Sequence, residues 1–487
     1  MSIFTLKGHD LNVQAARVEE TLGGLLLTGK SVQVNHTFGR SRFLKQGWQS
    51  WSEAAWVSLK DNPKPILPPE RRPQCDDPLY ALSPVHGGSN LGAVEGHDGG
   101  LLFLGAVRPG ARVEADRLSI KGSADGEVQW FLAYGEWNEV FSRYAELLGA
   151  TLGLRVQKPA PRVWCSWYSF YPNITEANML ETISGLQGLP FDVFQLDDGW
   201  QLNMGDWEPN HKFPSGMQSI ALRAQAQGFT AGIWLAPFIA RPSSRLFKTH
   251  PEWFLRDEAG ELVSAGTNWG GYYGLDVTLP PVQDWLRGLI QTVRGWGYRY
   301  LKLDFLFAAA LPARRHLDIS REEVYREALR LIREAAGEDT YLLVCGAPLI
   351  PSIGIADGIR IGPDVGPFWD FEDRRVFLHD PTGPAGYNAL RTSLHRLWLK
   401  PLVHVDPDVA YFRTRYNLLD PKQRQVLQDL ALVAEFKATS DPPAWLDPEE
   451  REQLREWLEA NPPITQLSTY VYKIGEREVD FEPWLDI

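Results

Sequence analysis

The stretch Tyr298-Arg-Tyr-Leu-Lys-Leu-Asp-Phe305 decides the fold class. It alternates aromatic or aliphatic residues with polar ones and ends a run that reads as a buried β-strand on a carboxylate, Asp304. In a barrel enzyme the chemistry sits at strand tips of this kind. Lys302 lies two residues before Asp304, so strand geometry sends both side chains to the same face. Burying a cation and an anion together is costly unless something is gained, and a binding site is the usual gain. The bland alternative is an ion pair that closes the mouth of a barrel.

Outward from this stretch the pattern is strand, loop and helix in repetition. Strands are expected at 162–167, 191–196, 230–235, 298–303, 341–344, 358–361, 401–405 and 433–438, with helices such as 282–296 and 321–336 between them. This count is that of a closed (β/α)8 TIM barrel, spanning 156–460. A doubly wound open sheet is the other candidate, but no Gly-rich phosphate loop follows the first strand. Residues 1–155 read as an N-terminal all-β sandwich domain. Their alternating runs at 31–38, 101–107, 112–120 and 127–134 are followed by a helix at 137–148 and a linker containing Pro159 and Pro161. A last helix at 448–460 precedes a short C-terminal β segment, 461–487, with one alternating run at 465–474. The polar, Trp-bearing segment Gln46-Gly-Trp-Gln-Ser-Trp51 is either a turn packed on its own domain or a loop lent to a neighbouring site.

Composition narrows the function. At 487 residues the chain exceeds one ordinary domain, and 44% hydrophobic with 23% charged residues is globular. No apolar run approaches the roughly eighteen residues of a membrane span. The start lacks the pattern of a signal peptide, so a cytoplasmic location is expected. A net charge of -12 argues against a nucleic-acid or anionic-membrane partner. Cys75, Cys165 and Cys345 have no CxxC or Cys/His spacing, so neither disulfides nor structural zinc is indicated. The 19 tryptophans, several beside carboxylates, suit a sugar site, where a ring face stacks on a pyranose. Arg outnumbers Lys and only 4 Met occur, as in a heat-adapted, thermostable protein.

The strand ends collect the polar residues: Asp197 and Asp198 after the second, Trp234 on the third, Lys302 and Asp304 on the fourth, Cys345 after the fifth, and Arg360 with Asp364 at the sixth. No HExxH motif or His/Cys cluster offers a metal site, and no cofactor is expected. A paired-carboxylate mechanism remains, which is glycoside hydrolysis. Asp304 suits the nucleophile, with Lys302 holding it ionised. Asp364, on a Gly-Pro turn, suits the acid/base. Arg360 would oppose a raised pKa if it touched Asp364, so it is assigned to a substrate hydroxyl. Asp197 and Asp198 read as hydroxyl acceptors, and Trp167 and Trp234 as apolar walls.

The runs Trp164-Cys-Ser-Trp-Tyr168, Gln195-Leu-Asp-Asp-Gly-Trp200, Gly205-Asp-Trp207 with Lys212-Phe-Pro214, Gly232-Ile-Trp-Leu-Ala-Pro237, Leu301-Lys-Leu-Asp-Phe305 and Gly358-Ile-Arg-Ile-Gly-Pro-Asp-Val365 resemble the α-galactosidases of glycoside hydrolase family 36. Upstream, Gly47-Trp-Gln-Ser-Trp-Ser52 resembles the segment by which that family's sandwich domain reaches the active site, with Trp51 ahead of Trp48. The resemblance implies a retaining double displacement with Asp304 as nucleophile and Asp364 as acid/base. Asp197, Asp198 and Lys302 would bind the 4-OH, 6-OH and 3-OH region of galactose, Arg360 the 2-OH, and Trp167 and Trp234 the ring, with Cys345 at the floor. Trp51 and Trp207 are candidates for the leaving-group side. The expected substrates are small galactosides of the melibiose and raffinose type. A raffinose-synthase-like transglycosylase and a catalytically inactive galactoside-binding protein are the alternatives; retention of both Asp304 and Asp364 argues against the second. The family commonly ends in a C-terminal β-domain, here short, which leaves a homo-oligomer open.

Overall fold

Strand Tyr300–Leu303 is buried at every position and runs parallel to a neighbour on each side, Thr230–Leu235 and Tyr341–Val344. Burial of both faces explains why such strands are almost continuously apolar and why Lys302 stands out among them. The computed structural model describes residues 2–38, 42–155 and 159–485, so 156–158 of the expected linker lie outside the described residues. Its parallel sheet has eight strands in the order Ala438–Thr439, Val163–Cys165, Val193–Leu196, Thr230–Leu235, Tyr300–Leu303, Tyr341–Val344, Gly358–Arg360, His404–Asp406. Helices alternate with them. In Pro280–Gly295 the buried residues Val282, Leu286, Leu289, Ile290 and Val293 follow the helical period and face the sheet, and Pro sits in the first turn. Arg321–Ala336 is capped by the Ser320 side chain and stopped at Gly337, whose φ of 72° lies in the left-handed region.

Sequence order around the sheet is that of a barrel, but the ladder is not continuous. Among the described residues no ladder joins His404–Asp406 to Ala438–Thr439; one backbone bond, Ala410 N–H to the Ala438 carbonyl at 2.9 Å, spans the seam. The expected eighth strand is displaced. Residues 433 and 434 finish the helix Pro421–Ala434, which Asp420 caps through the amides of Lys422 and Gln423, and only Ala438 and Thr439 are left to pair. The seventh strand likewise starts at His404, not at 401.

The N-terminal part forms one antiparallel sheet of eleven strands, folded around an apolar cluster that includes Leu27, Val34, Phe43, Leu104, Val113 and Trp130. Two long strands, Gly24–Asn35 and Ser119–Gly135, pair along their length with a register break between Ser123 and Val128. The run at 112–120 is not one strand. Asp116 accepts from the amides of Leu118 and Ser119 at 2.9 and 2.8 Å, and this side-chain turn makes a hairpin between Ala111–Ala115 and Ser119–Gly135. The run at 465–474 is also divided, by a turn between Ile464–Gln466 and Val471–Ile474; with Arg477–Asp480 these form a three-stranded antiparallel sheet. Among the described residues no helix is long and apolar enough to cross a membrane.

Helix Trp137–Leu152 packs the N-terminal sheet onto the turn Leu397–Leu399 that precedes the seventh parallel strand, with Phe141 and Tyr144 against Trp398 at ring separations of 5.3 and 5.6 Å. The 46–52 segment crosses the same junction. The Ser50 amide donates to the Ala347 carbonyl at 3.0 Å and the Ala347 amide to the Ser50 hydroxyl at 3.1 Å. Arg396, wholly buried, donates to the carbonyls of Ser50, Ser52, Gln49 and Ile361 at 2.5, 2.6, 3.2 and 2.9 Å. Burial without a carboxylate partner pulls its pKa down to about 9. Arg396→Met is expected to cost about 3 kcal/mol or more, because the buried carbonyls of Ser50, Ser52 and Ile361 lose their donor; chemical denaturation of variant and parent reads the difference.

Candidate active site

Asp304 follows the last residue of its strand and is held there by its neighbours. Its amide donates to the Leu235 carbonyl at 2.8 Å, Trp234 Nε1 donates to Oδ2 at 2.9 Å, and the Phe305 amide donates to Oδ1 at 2.8 Å. Phe305 itself takes the left-handed conformation, φ 55°. Tyr171 and Trp269, which line the same cavity, also have positive φ, 48° and 53°. Non-glycine residues in this region store strain, and strain of this kind gathers at functional sites. Trp234 lies opposite Lys302 in the strand register, so its ring and the Lys302 side chain leave the sheet together. The sequence read Trp234 as a wall; it is also a hydrogen-bond donor to Asp304.

Lys302 does not pair with Asp304. Its ammonium lies 2.7 Å from Asp197 Oδ2, and both side chains are buried. Asp197 also accepts from Gln195 Nε2 at 2.8 Å and from the Asp198 amide at 2.9 Å. Burial disfavours its charge, but Lys302 and these donors win and hold the carboxyl below its ordinary range. Lys302 is correspondingly held well above its own, burial being outweighed by Asp197. Asp304 differs from expectation: burial, assisted by Asp364, pushes it up against the opposing pull of Lys302 and Trp234.

Asp198 accepts from Gln201 Nε2 at 2.6 Å and Trp269 Nε1 at 3.3 Å. Burial, with Asp197 alongside, raises it to about 6. Its ionised form, the stronger hydroxyl acceptor, therefore prevails above about pH 6 and is lost below it. The KM for a galactoside is expected to rise as pH falls through that value, and Asp198→Asn to raise KM at pH 7 while removing this limb. Initial rates between pH 5 and 8 check both.

Arg360 requires the largest correction. Its guanidinium meets Asp406 at 2.9 Å, Asp408 at 2.8 Å and Asp364 at 3.1 Å, and donates to the Tyr168 hydroxyl at 3.3 Å. The Arg360 side chain is 4% exposed and that of Asp364 31% exposed. Thus the arginine is spent on carboxylates behind the cavity wall, in the contact with Asp364 that its assignment to a hydroxyl had set aside. Asp408 accepts from Tyr168 and from the Val365 amide at 2.9 Å, which fixes the turn carrying Asp364. Burial and the neighbouring acids raise Asp408. Asp406, Asp408 and Tyr168 were missed in the sequence; His404-Val-Asp-Pro-Asp408, a further strand tip bearing acids, was the available signal.

These groups meet in a cavity of about 330 Å³. Asp197, Asp198, Trp234, Lys302, Asp304, Asp364, Trp167 and Trp51 all line it; Arg360 and Cys345 do not. Cys345 is buried, and burial pushes its thiol well up. Trp51 reaches the cavity from the N-terminal sheet, its ring 5.0 Å from that of Phe305. Gly346 makes room for it: a Cβ there would stand 2.8 Å from Cη2 of Trp51. Trp48 instead stacks under the Arg321 guanidinium, and Trp207 packs against Trp234 at a ring separation of 5.9 Å and does not line the cavity.

A solved structure of an α-galactosidase from Thermus thermophilus, with p-nitrophenyl α-D-galactopyranoside, is 48% identical to this chain, covers 99% of each and superposes with a TM-score of 0.95. The chain belongs to the α-galactosidases of glycoside hydrolase family 36. The Melibiase family model matches residues 131–333. The family 36 α-galactosidase AgaA of Geobacillus stearothermophilus, in a variant solved with raffinose, shares the fold at a TM-score of 0.62 with 15% identity, over 93% of this chain and 65% of that one. The α-galactosidase 1 of Pediococcus pentosaceus is 28% identical over 174 residues, 33% of this chain and 23% of that relative, so the chain matches less than a quarter of its length.

Proposed function

We propose that this family 36 protein is a retaining, exo-acting α-galactosidase that hydrolyses terminal α-galactosyl residues of small galactosides. The observation that carries this is the joint exposure of Asp304 and Asp364 in one cavity whose other polar residues include Asp197, Asp198 and Lys302. Asp304 attacks the anomeric carbon while Asp364 gives its proton to the departing glycosidic oxygen; the sugar–oxygen bond breaks as the glycosyl–Asp304 ester forms. Asp364, now a base, takes a proton from water, whose oxygen attacks the same carbon and frees Asp304. Two inversions retain the α configuration. Asp197, Asp198 and Lys302 bind sugar hydroxyls, and Trp167 and Trp234 the ring. Arg360 acts as a positioning residue for Asp364, and Cys345 backs the wall.

The melibiose and raffinose class is supported by the Thermus relative, also solved with stachyose, and by the raffinose complex of the Geobacillus protein. On this reading the eight parallel strands work as a (β/α)8 barrel, residues 156–460, with 1–155 as the sandwich domain that lends Trp51 and 461–487 as a short β segment. The heat-adapted composition agrees with a Thermus relative. The test is incubation with p-nitrophenyl α-D-galactopyranoside, with NMR of the first sugar released. α-Galactose is expected. β-Galactose first, or no release, overturns the proposal, and galactose transferred to added sugar in place of water identifies the transglycosylase.

A further inference from the structure

One wall of the cavity is built by two segments far apart in sequence. Arg71 ends the short turn Pro69–Arg71 of the N-terminal part, and Arg374 belongs to helix Glu372–Phe377, beyond the sixth parallel strand; both line the cavity, with Gln74 and Thr382 beside them. Asp380, wholly buried, joins the two. Its Oδ2 accepts from Arg71 Nε at 3.0 Å and from Arg374 Nε at 2.8 Å, and its Oδ1 accepts from Thr382 Oγ1 at 2.5 Å and the Thr382 amide at 3.1 Å. Both oxygens are thus occupied.

The arginines are not. A guanidinium has five N–H donors. The second terminal nitrogen of Arg374, Nη2, is buried 2.7 Å from Asp380 Oδ2, so the N–H groups of its Nη1, which has no acceptor among the described residues, are the ones left for a ligand. Arg71 Nη2 reaches only Cys75 Sγ, a weak acceptor, at 3.2 Å. Two guanidinium groups and one carboxylate leave this wall positive and rich in donors, in a cavity whose other charges are mainly acids. The wall also borders the acid/base. The Ala385 amide donates to the Asp364 carbonyl at 2.9 Å, and Pro384 lines the cavity between Thr382 and that bond. A group beside the proton donor lies on the side where the leaving group departs, away from the hydroxyl-binding end at Asp197 and Asp198.

We infer that Arg71 and Arg374 determine leaving-group specificity, their free N–H groups donating to the hydroxyl oxygens of a departing sugar, so that oligosaccharides are favoured over aryl galactosides. The inference rests on the proposed function and deepens it. An aryl leaving group presents a flat apolar face and few acceptors to these donors, whereas a sugar offers several. The requirement for both arginines makes the N-terminal part a contributor to specificity through more than Trp51.

The experiment compares kcat/KM for stachyose with kcat/KM for p-nitrophenyl α-D-galactopyranoside in the full-length protein and in Arg71→Gln, Arg374→Gln and Arg375→Gln. The ratio is expected to fall about tenfold in each of the first two, the worth of a hydrogen bond from a charged donor, and to stay at the parent value in Arg375→Gln, which lies on the same helix but pairs with Asp370. A ratio unchanged in Arg71→Gln and Arg374→Gln, whether both rates fall together or neither does, overturns the inference and leaves the arginines as a clamp between the two segments. Should Arg71→Gln not fold, Arg374→Gln decides alone, since it keeps the Arg71–Asp380 pair. A parent protein that cleaves neither substrate overturns the proposed function and this inference with it; normal cleavage with an unchanged ratio overturns the inference only.

Discussion

Asp304→Ala is expected, on the proposed double displacement, to lower kcat/KM for p-nitrophenyl α-D-galactopyranoside by roughly ten-thousandfold, the scale at which an enzyme loses its covalent nucleophile. The aryl substrate makes the result diagnostic, because its leaving group needs little help and the loss is confined to the attack on carbon. The fold should survive, since a carboxylate that burial already pushes up is a cost to the folded state. The hydrogen-bond donors of Trp234 and Phe305 are left facing the cavity, where water or a small anion takes the place of the carboxylate. Azide is therefore expected to restore turnover of Asp304→Ala, and to enter from the face the carboxylate occupied, giving a β-galactosyl azide. Near-parental activity without azide removes Asp304 from the mechanism.

Asp364→Ala separates substrates instead of silencing all of them. For stachyose, whose departing oxygen must be protonated, a loss of about a thousandfold is expected, within the usual worth of a general acid. For the p-nitrophenyl glycoside the first step is nearly spared and the ester on Asp304 accumulates, because no base activates water. The kinetic sign is a burst of nitrophenol followed by a slow steady state. Azide here attacks that ester from the opposite face and gives an α-galactosyl azide, so the two variants are told apart by the anomer of one product. Equal losses on both substrates rule out the acid/base role.

Arg360 makes the second experiment more than a test of one residue. With Asp406 and Asp408 it fixes the turn bearing Asp364, and the raised carboxyl of Asp408 accepts from both Tyr168 and the Val365 amide. Asp364 is positioned by this group, and a single pair read along the chain, Arg360 and Asp364, represents only part of it.

Most of the parallel sheet was legible because each buried strand is a local event. The runs ending in Asp197, Leu235 and Asp304 are short, apolar and followed by polar tips, and their period needs no knowledge of partners. The strand beginning at Ala438 was misplaced for the same reason: Val433 and Ala434 are as apolar as a strand, and only the Asp420 cap and the length of the helix assign them to Pro421–Ala434. At 112–120 a single side chain, Asp116, turned one expected strand into a hairpin.

By itself the sequence determined the strand tips, the acids and tryptophans on them, and the resemblance in motif order and spacing, since all of these are properties of residues close along the chain. Which charges meet was decided only by the tertiary structure. Lys302 finds Asp197, 105 residues away, rather than Asp304 two residues away, because residues i and i+2 of a strand share a face but stand side by side along it, while the tip of Val193–Leu196, two places along the sheet, brings a carboxylate directly to the ammonium. The same is true of Arg360 on Asp406 and Asp408, of Trp51 at Gly346, and of Arg71 and Arg374 on one Asp380. Each depends on how the parallel strands and the N-terminal sheet are placed in space, and in a low-dielectric interior those through-space partners, not chain neighbours, set the charge and reach of every catalytic group.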